Sequence, residues 1–158
     1  MTFVPLVQSL RPKQMIKNLL VLAAPAAAGV LPEARSLWRT ALAFIVFCLL
    51  SGGIYLVNDL RDAPLDRKHP TKRHRPIAAG ELSPRIAILA AGGLLVGGLV
   101  LAALVNADLA LLGALFVANS LIYSLWLKRV AVLDIVLISA GFVIRAVAGA
   151  VSVDIAIS

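Results

Sequence analysis

The stretch LWRTALAFIVFCLLSGGIYLV, Leu37–Val57, decides the fold, because it is long and apolar enough to cross a lipid bilayer. A transmembrane helix needs about 20 mostly apolar residues to cross a hydrocarbon core of roughly 30 Å. Four more apolar runs share this character, at Ile16–Leu31, Ile86–Val105, Leu109–Leu127 and Val132–Val151. The sequence therefore predicts an all-α, polytopic transmembrane helix bundle of five spans, the first one short, forming a single transmembrane domain over residues 1–158.

The composition supports a membrane protein. Of the 158 residues, 61% are hydrophobic and 15% are charged, and the mean hydropathy is +0.96, which a soluble domain does not need. The net charge is +7, but the cations lie in loops between apolar runs and no aromatic residues are interleaved with them, so no nucleic-acid partner is expected. The single cysteine, Cys48, lies in an apolar run, which excludes a disulfide framework or a thiolate metal cluster.

Glycine pairs occur in the predicted spans, at positions 52–53, 92–93 and 97–98. Small residues allow helix backbones to approach closely in a membrane, where van der Waals packing replaces the hydrophobic driving force. We therefore interpret these pairs as helix contact points.

The Lys and Arg residues favour one side of the predicted bundle. The groups on that side are Arg11, Lys13 and Lys17 at the first span, the seven cations from Arg61 to Arg85, and Lys128 with Arg129 before the fifth span. The other side carries Arg35 and Arg39. Since cytoplasmic loops are rich in Lys and Arg, the amino terminus and the charged loop, residues 58–85, are predicted to face the cytoplasm from the plasma (inner) membrane.

Polar residues follow the second span directly, in the sequence NDLRDAPLD. Asn58, Asp59, Asp62 and Asp66 would fall within about 100° of one another around a helix. Pro64 lacks an amide donor and clashes with the preceding turn, so we expect the helix to kink or end near Ala63 and Asp66 to approach from a loop. Clustered carboxylates repel one another unless a cation lies between them, and oxygen ligands of this kind suit Mg²⁺. All four residues are predicted metal ligands, and the three aspartates are predicted to be catalytic.

The cations downstream of this cluster are candidate phosphate ligands. Lys72, Arg73 and Arg75 supply donors suited to phosphate oxygens, although the positive-inside rule alone would also account for them. That rule does not explain the aspartates, because acidic residues contribute little to topology. Lys17 and Asn18, at the opening of the first span, are further candidates for substrate binding, and for Lys17 snorkelling to lipid headgroups is an equal alternative.

Arg145 lies deep within the fifth predicted span, close to mid-membrane. An arginine at that depth costs on the order of 2.5–3.5 kcal/mol or more. We therefore expect Arg145 to face the bundle interior and to bind an anionic substrate or pair with an acidic side chain of another helix.

The pattern NDxxDxxxD resembles the first aspartate-rich motif of the UbiA superfamily of intramembrane prenyltransferases. The stretches RPKQMIKNLLVLAAP, HPTKRHRPIAAG and GFVIRAVAGA are similar to a branch of that superfamily that transfers phosphoribose. The resemblance implies 5-phosphoribosyl diphosphate and a polyprenyl (decaprenyl) phosphate as substrates, Mg²⁺ as cofactor and a role in cell-wall arabinan synthesis. It also implies about nine spans, so we expect residues 1–158 to be the amino-terminal half of a longer protein. A homo-oligomer is a separate expectation.

Two alternatives remain open at this point. A conventional UbiA-type enzyme would use a prenyl diphosphate donor and an aromatic acceptor, although the dense cations favour a substrate with more phosphate groups. A membrane transporter with Arg145 on its substrate path is the non-enzymatic alternative, but an anion transporter has no need for three carboxylates.

Overall fold

The computed structural model describes residues 3–124 and 131–155, which form helices and turns and contain no strand. The α-helices in these ranges are α1 Phe3–Ser9, α2 Ala23–Ala27, α3 Ala34–Asp66, α4 Pro84–Val105, α5 Ala107–Ile122 and α6 Ala131–Ser152. Two 3₁₀ helices, Pro12–Leu22 and Lys72–His74, lie between them. The predicted all-α bundle is confirmed.

Three of the predicted spans are confirmed as membrane-length helices. Helix α3, helix α4 and the part of α6 from Ile135 to Ser152 are long and apolar enough to cross a membrane. Helix α5 is apolar but has 16 residues. The end of the predicted fourth span, residues 125–127, and the cations Lys128 and Arg129 lie outside the described residues.

The predicted first span, Ile16–Leu31, is wrong as a single helix. This region starts as the 3₁₀ helix Pro12–Leu22, continues as the five-residue α2 and then turns at Gly29, where φ is +70°. Such a long 3₁₀ run is uncommon, and tertiary contact accompanies it. The backbone of Val21 lies so close to Gly149 of α6 that a Cβ atom at Gly149 would lie 1.8 Å from the Val21 carbonyl oxygen.

The expected end of the second span near Ala63 is also wrong, because α3 continues through Pro64 to Asp66. Proline inside a helix costs about 3 kcal/mol. Burial of Ala63 and Asp66 accompanies the continued helix, and the Arg67 amide bonds to the Ala63 carbonyl at 3.1 Å beyond the proline. The charged loop therefore runs from residue 67 to 83, and the NDxxDxxxD residues are helical.

Consecutive long helices run antiparallel. On α3 and α4, Gly53 lies against Leu95 while Gly98 lies against Leu50. Helices α4 and α5 are joined by Asn106 alone, whose side chain caps α5 by accepting a bond from the Leu109 amide at 2.8 Å. The carboxyl end of α3, the amino end of α4 and the carboxyl end of α5 therefore meet at one end of the bundle.

Asn side chains also connect α5 to α6. Asn106 donates to the Val151 carbonyl at 2.8 Å, and Asn119 donates to the Leu137 carbonyl at 2.9 Å. Because higher numbers on α5 face lower numbers on α6, these two helices are antiparallel as well. Such bonds satisfy amide groups that lipid could not.

The glycine pairs fulfil their predicted packing role only in part. A Cβ atom at Gly53 or Gly98 would lie 2.7 Å from a leucine side chain of the facing helix. A Cβ atom at Gly92, Gly93 or Gly97 would meet nothing within 4 Å, so the prediction is wrong for these three positions within the described structure. The core between α3 and α5 instead includes Phe47 and Phe116, whose ring centroids are 5.2 Å apart.

Candidate active site

Two aspartates of α3 converge on one arginine of the charged loop. Nη1 of Arg75 donates to Asp59 Oδ1 at 3.2 Å and to Asp66 Oδ2 at 2.7 Å. Asp59 and Asp66 are each 3% exposed. Seven residues advance a helix by nearly two full turns, so both side chains project from the same face. The shared guanidinium offsets the repulsion between them.

Asp59 has a second cationic partner, Arg11, which forms an ion pair with its Oδ1. The guanidinium of Arg11 also lies 5.1 Å from the ring centroid of Tyr55, one turn earlier on α3. The backbone of Arg11 is left-handed, with φ 55° and ψ 59°, a conformation that costs a non-glycine residue about 1–2 kcal/mol. Its side-chain contacts accompany this strained turn into the 3₁₀ helix.

The charged loop is packed onto the end of the bundle. Ile77 and Leu82 are buried against apolar residues of α3 and α4, and Ala78 between them is buried as well. Arg67 Nε donates to the Ala78 carbonyl at 3.3 Å, and Gly80 turns the chain with φ +81°. These contacts hold the segment containing Arg75 over the carboxyl end of α3.

A cavity of about 170 Å³ opens beside the ion-pair cluster of Asp59, Asp66 and Arg75. Its walls come from the 3₁₀ helix Pro12–Leu22 and from α3, α5 and α6, and among its lining residues are Lys17, Asn58, Tyr55, Phe116, Phe142 and Arg145. Asn58 lies near the charged loop, and Arg145 lies in the middle of α6. The cavity is thus lined by polar and aromatic side chains, and Phe116 and Phe142 lie next to Arg145.

Arg145 faces the bundle interior, as its sequence position predicts, and is 8% exposed. Its Nε donates to Asn18 Oδ1 at 2.8 Å, and its Nη1 donates to the Gly141 carbonyl at 2.8 Å. The guanidinium carbon lies 4.4 Å from the Phe116 ring centroid and 5.9 Å from that of Phe142. Among the described residues, these partners are neutral, so they do not compensate the positive charge of Arg145.

The other predicted site residues lie around the cluster of Asp59, Asp66 and Arg75 or around the cavity. Asn58 accepts a bond from the Ser124 hydroxyl and lines the cavity, and Asp62 is half-buried on α3. Lys17 is exposed and also lines the cavity, whereas Asn18 is 1% exposed. Lys72 and Arg73 are exposed in the short 3₁₀ turn of the charged loop, outside the cavity lining.

The carboxylates partly match the donor set that Mg²⁺ requires. The described residues contain no group of three or more His, Cys, Asp or Glu side chains arranged to hold a metal ion. Asp59 and Asp66 nevertheless direct carboxylate oxygens at one positively charged nitrogen. Mg²⁺ is usually bound through one or two carboxylates together with water and substrate phosphate oxygens, so this pair fits a metal that arrives with its substrate.

Arg11, Tyr55, Phe116 and Phe142 are the site residues that sequence reasoning missed. The sequence position of Arg11 indicates only topology, because its contact with Asp59 joins positions 48 residues apart. The aromatic residues lie in apolar runs, where a cavity-lining side chain has the same sequence signature as a core side chain. No sequence signal in this chain distinguishes the two.

Fold and site together define a helical membrane protein with paired carboxylates and dense cations beside an intramembrane cavity. The UbiA prenyltransferase family matches residues 19–158, and the chain belongs to that family. It is 49% identical over 157 residues to the decaprenyl-phosphate phosphoribosyltransferase of Mycolicibacterium smegmatis, covering 97% of this chain and 49% of the relative.

Two further relatives carry the same name. The protein of Corynebacterium glutamicum is 45% identical, with 97% of this chain and 47% of the relative covered. The protein of Mycobacterium tuberculosis is 44% identical, with 96% and 52% covered. The chain spans about half the length of the curated relatives it matches.

Proposed function

We propose that this protein, in its complete form, transfers the 5-phosphoribosyl group of 5-phosphoribosyl diphosphate to a polyprenyl (decaprenyl) phosphate and releases diphosphate. The product would serve as a precursor of cell-wall arabinan. The observation that carries the proposal is the convergence of Asp59 and Asp66 on Arg75 beside a cavity that also contains Arg145. The names of the relatives support the same substrates.

Mg²⁺ is the proposed cofactor, held by Asp59 and Asp66 with Asn58 and Asp62 as further oxygen donors. When bound, it would stabilise the negative charge of the diphosphate leaving group. Arg75 now occupies the position between the two carboxylates. In the proposed complex its guanidinium turns to the substrate phosphates, which it can bind through two parallel bonds.

The cations around the cluster would neutralise the remaining phosphate oxygens. The proposed ligands are Lys17, Lys72, Arg73 and Arg75, which lie at the cavity or on the charged loop. A substrate with a diphosphate and a separate 5-phosphate requires more donors than a diphosphate alone, and this number of cations supports the phosphoribosyl donor.

Arg145 would bind an anion that enters the cavity, either the lipid phosphate or the ribose 5-phosphate. Its neutral partners favour this role over an ion pair within the protein. The Arg145 side chain is complementary to phosphate, because a guanidinium presents its donors in a planar fork. The aromatic walls would contact the apolar part of the lipid.

In the reaction, a lipid phosphate oxygen forms a bond to the anomeric carbon of the ribose, and the bond from that carbon to the diphosphate oxygen breaks. The attacking phosphate is already an anion at neutral pH, so no strong general base is needed. The contribution of the protein is orientation of the two substrates and stabilisation of charge. Asp59, Asp62 and Asp66 would bind the donor diphosphate together with Mg²⁺. Arg145 would bind a phosphate group in the cavity.

We further propose that the protein lies in the plasma (inner) membrane with the charged loop in the cytoplasm. The exposed leucines of α4, Leu89 and Leu104, agree with lipid contact. The cytoplasmic side is where a soluble sugar diphosphate would be supplied. A homo-oligomer stays a prediction.

The test is phosphoribosyl transfer by the full-length protein in detergent or membranes, with labelled 5-phosphoribosyl diphosphate and decaprenyl phosphate. Product formation should require Mg²⁺ and stop with EDTA, and Asp62→Asn should abolish turnover without loss of folded protein. Activity with a prenyl diphosphate and an aromatic acceptor, but none with the phosphoribosyl donor, would favour the conventional prenyltransferase. Full activity in EDTA would refute the metal role.

A further inference from the structure

Asn18 lies behind Arg145, away from any open surface. It belongs to the 3₁₀ helix Pro12–Leu22 and is 1% exposed. Its Oδ1 atom accepts hydrogen bonds from Arg145 Nε at 2.8 Å and from the Ser51 hydroxyl at 3.3 Å. A buried amide bonded in this way is poorly placed to contact a substrate, so its position suggests a role other than the direct binding predicted from sequence.

The chemistry around Asn18 determines which way its amide points. Arg145 and Ser51 both present donors on one side, where the carbonyl oxygen is needed, because an arginine has no acceptor. On the other side, Nδ2 faces Cys48 Sγ at 3.4 Å and Met15 Sδ at 3.5 Å. Sulfur is a weak acceptor, so this arrangement satisfies the donor group, whereas the reversed amide would place a donor against the guanidinium.

This bond fixes the orientation of the Arg145 guanidinium. Its Nε is held by Asn18 and its Nη1 by Gly141, while Phe116 lies against its face. The remaining N–H donors belong to a side chain that lines the cavity. A neutral amide is suited to this task, since a carboxylate in its place would hold the guanidinium equally well but cancel its charge.

We propose that Asn18 is a positioning residue, which holds the Arg145 guanidinium with its free donors toward the cavity and leaves its charge available for a phosphate group. This inference rests on the proposed role of Arg145 as an anion ligand. Asn18 would therefore affect substrate binding only through its contact with Arg145.

The decisive variant is Asn18→Asp, which keeps the size of the side chain and the acceptor for Nε but adds a negative charge beside Arg145. Its melting temperature without ligand should stay within a few degrees of the wild type. Stabilisation by inorganic phosphate, measured as the rise in melting temperature at constant ionic strength, should require at least about tenfold more phosphate. Asn18→Ala should weaken phosphate binding similarly if it folds, and Arg145→Gln should weaken it at least as much as Asn18→Asp.

Cys48→Ala is the matched control, because Cys48 touches the same amide on the side away from Arg145. It should bind phosphate like the wild type. In the transfer assay, Asn18→Asp should raise the KM of one phosphate substrate about tenfold with kcat within about threefold. A raised KM for polyprenyl phosphate identifies the lipid phosphate as the ligand of Arg145, and a raised KM for 5-phosphoribosyl diphosphate identifies the sugar phosphate.

The outcomes separate this inference from the proposed function. Wild-type phosphate affinity and KM values in a stably folded Asn18→Asp would overturn the positioning role, even if the enzyme transfers phosphoribose. Failure of the wild type to transfer phosphoribose would overturn the proposed reaction, while the phosphate-dependent melting shift would still test Asn18. A fall in melting temperature that accounts for the whole loss of binding would show that Asn18 serves stability alone.

Discussion

Asp59 and Asp66 accept hydrogen bonds from the same atom, Nη1 of Arg75, at 3.2 and 2.7 Å. The two carboxylates come from one helix and the guanidinium from the loop that follows it. Both carboxylates are almost fully buried, so removal of either one alters a closely coupled group of charges.

Asp66→Asn should lower the proposed phosphoribosyl transfer by about 100-fold or more, because loss of a carboxylate proposed to hold Mg²⁺ would remove several kcal/mol of charge stabilisation. The folded yield should be retained, since Arg75 keeps its bond to Asp59. Initial rates across a MgCl₂ titration, together with the melting temperature, measure both effects. Glu81→Gln is the control, because Glu81 is an exposed acid of the same loop; equal losses in both variants would contradict the assignment.

Arg11→Gly should be more stable than Arg11→Ala, by about 1–2 kcal/mol, because both lose the ion pair with Asp59 but only glycine adopts the left-handed backbone without strain. Thermal unfolding of the two purified variants under identical detergent conditions measures this difference. Since neither variant has a charged side chain, the comparison isolates the backbone. Equal stability, or a more stable alanine variant, would show that position 11 is not left-handed in solution.

Gly149→Ala should reduce folded protein sharply, because its Cβ would lie 1.8 Å from the Val21 carbonyl oxygen and a rigid backbone cannot make room. Overpacking of this kind costs about 1–3 kcal/mol and occasionally more. Gly97→Ala is the matched control on α4, where an added methyl group meets nothing within 4 Å. Its yield should equal or exceed the wild type, since alanine is the better helix former. The measurement is monodisperse yield after detergent extraction.

Single cysteines introduced into a Cys48→Ala background should report the orientation of the bundle. Lys68→Cys lies on the charged loop and Ala107→Cys lies at the opposite end, and both positions are exposed. A membrane-impermeant thiol reagent applied to intact cells should label Ala107→Cys, whereas Lys68→Cys should react only after the membrane is opened. The reverse pattern would contradict the cytoplasmic placement of the charged loop.

Several features of this fold were predictable because they depend on local composition. Apolar length identified α3, α4 and α6, since a bilayer imposes the same requirement on every helix that crosses it. The depth of Arg145 predicted that it faces inward, because lipid does not tolerate an isolated charge. The family resemblance on the NDxxDxxxD motif agrees with the match over residues 19–158.

The errors concern segments in which packing opposes local preference. Proline at position 64 predicts an interrupted helix, but α3 continues to bury Ala63 and Asp66. The apolar run from Ile16 predicts a regular helix, but its 3₁₀ part lies with its backbone directly against Gly149. In both cases the stabilisation from tertiary contacts exceeds the free-energy cost of the local conformation. Those contacts join distant positions, so the local sequence does not reveal them.

The amino-acid sequence by itself determined that this is a helical membrane protein with acidic and basic groups at the end of its second span, because hydrophobic length and charge placement are properties of short segments. Only the tertiary structure decided which charges meet. Arg11 reaches Asp59 across 48 positions, and Arg145 reaches Asn18 across 127. Such pairings depend on how the helices cross and pack, and packing is a property of the whole bundle.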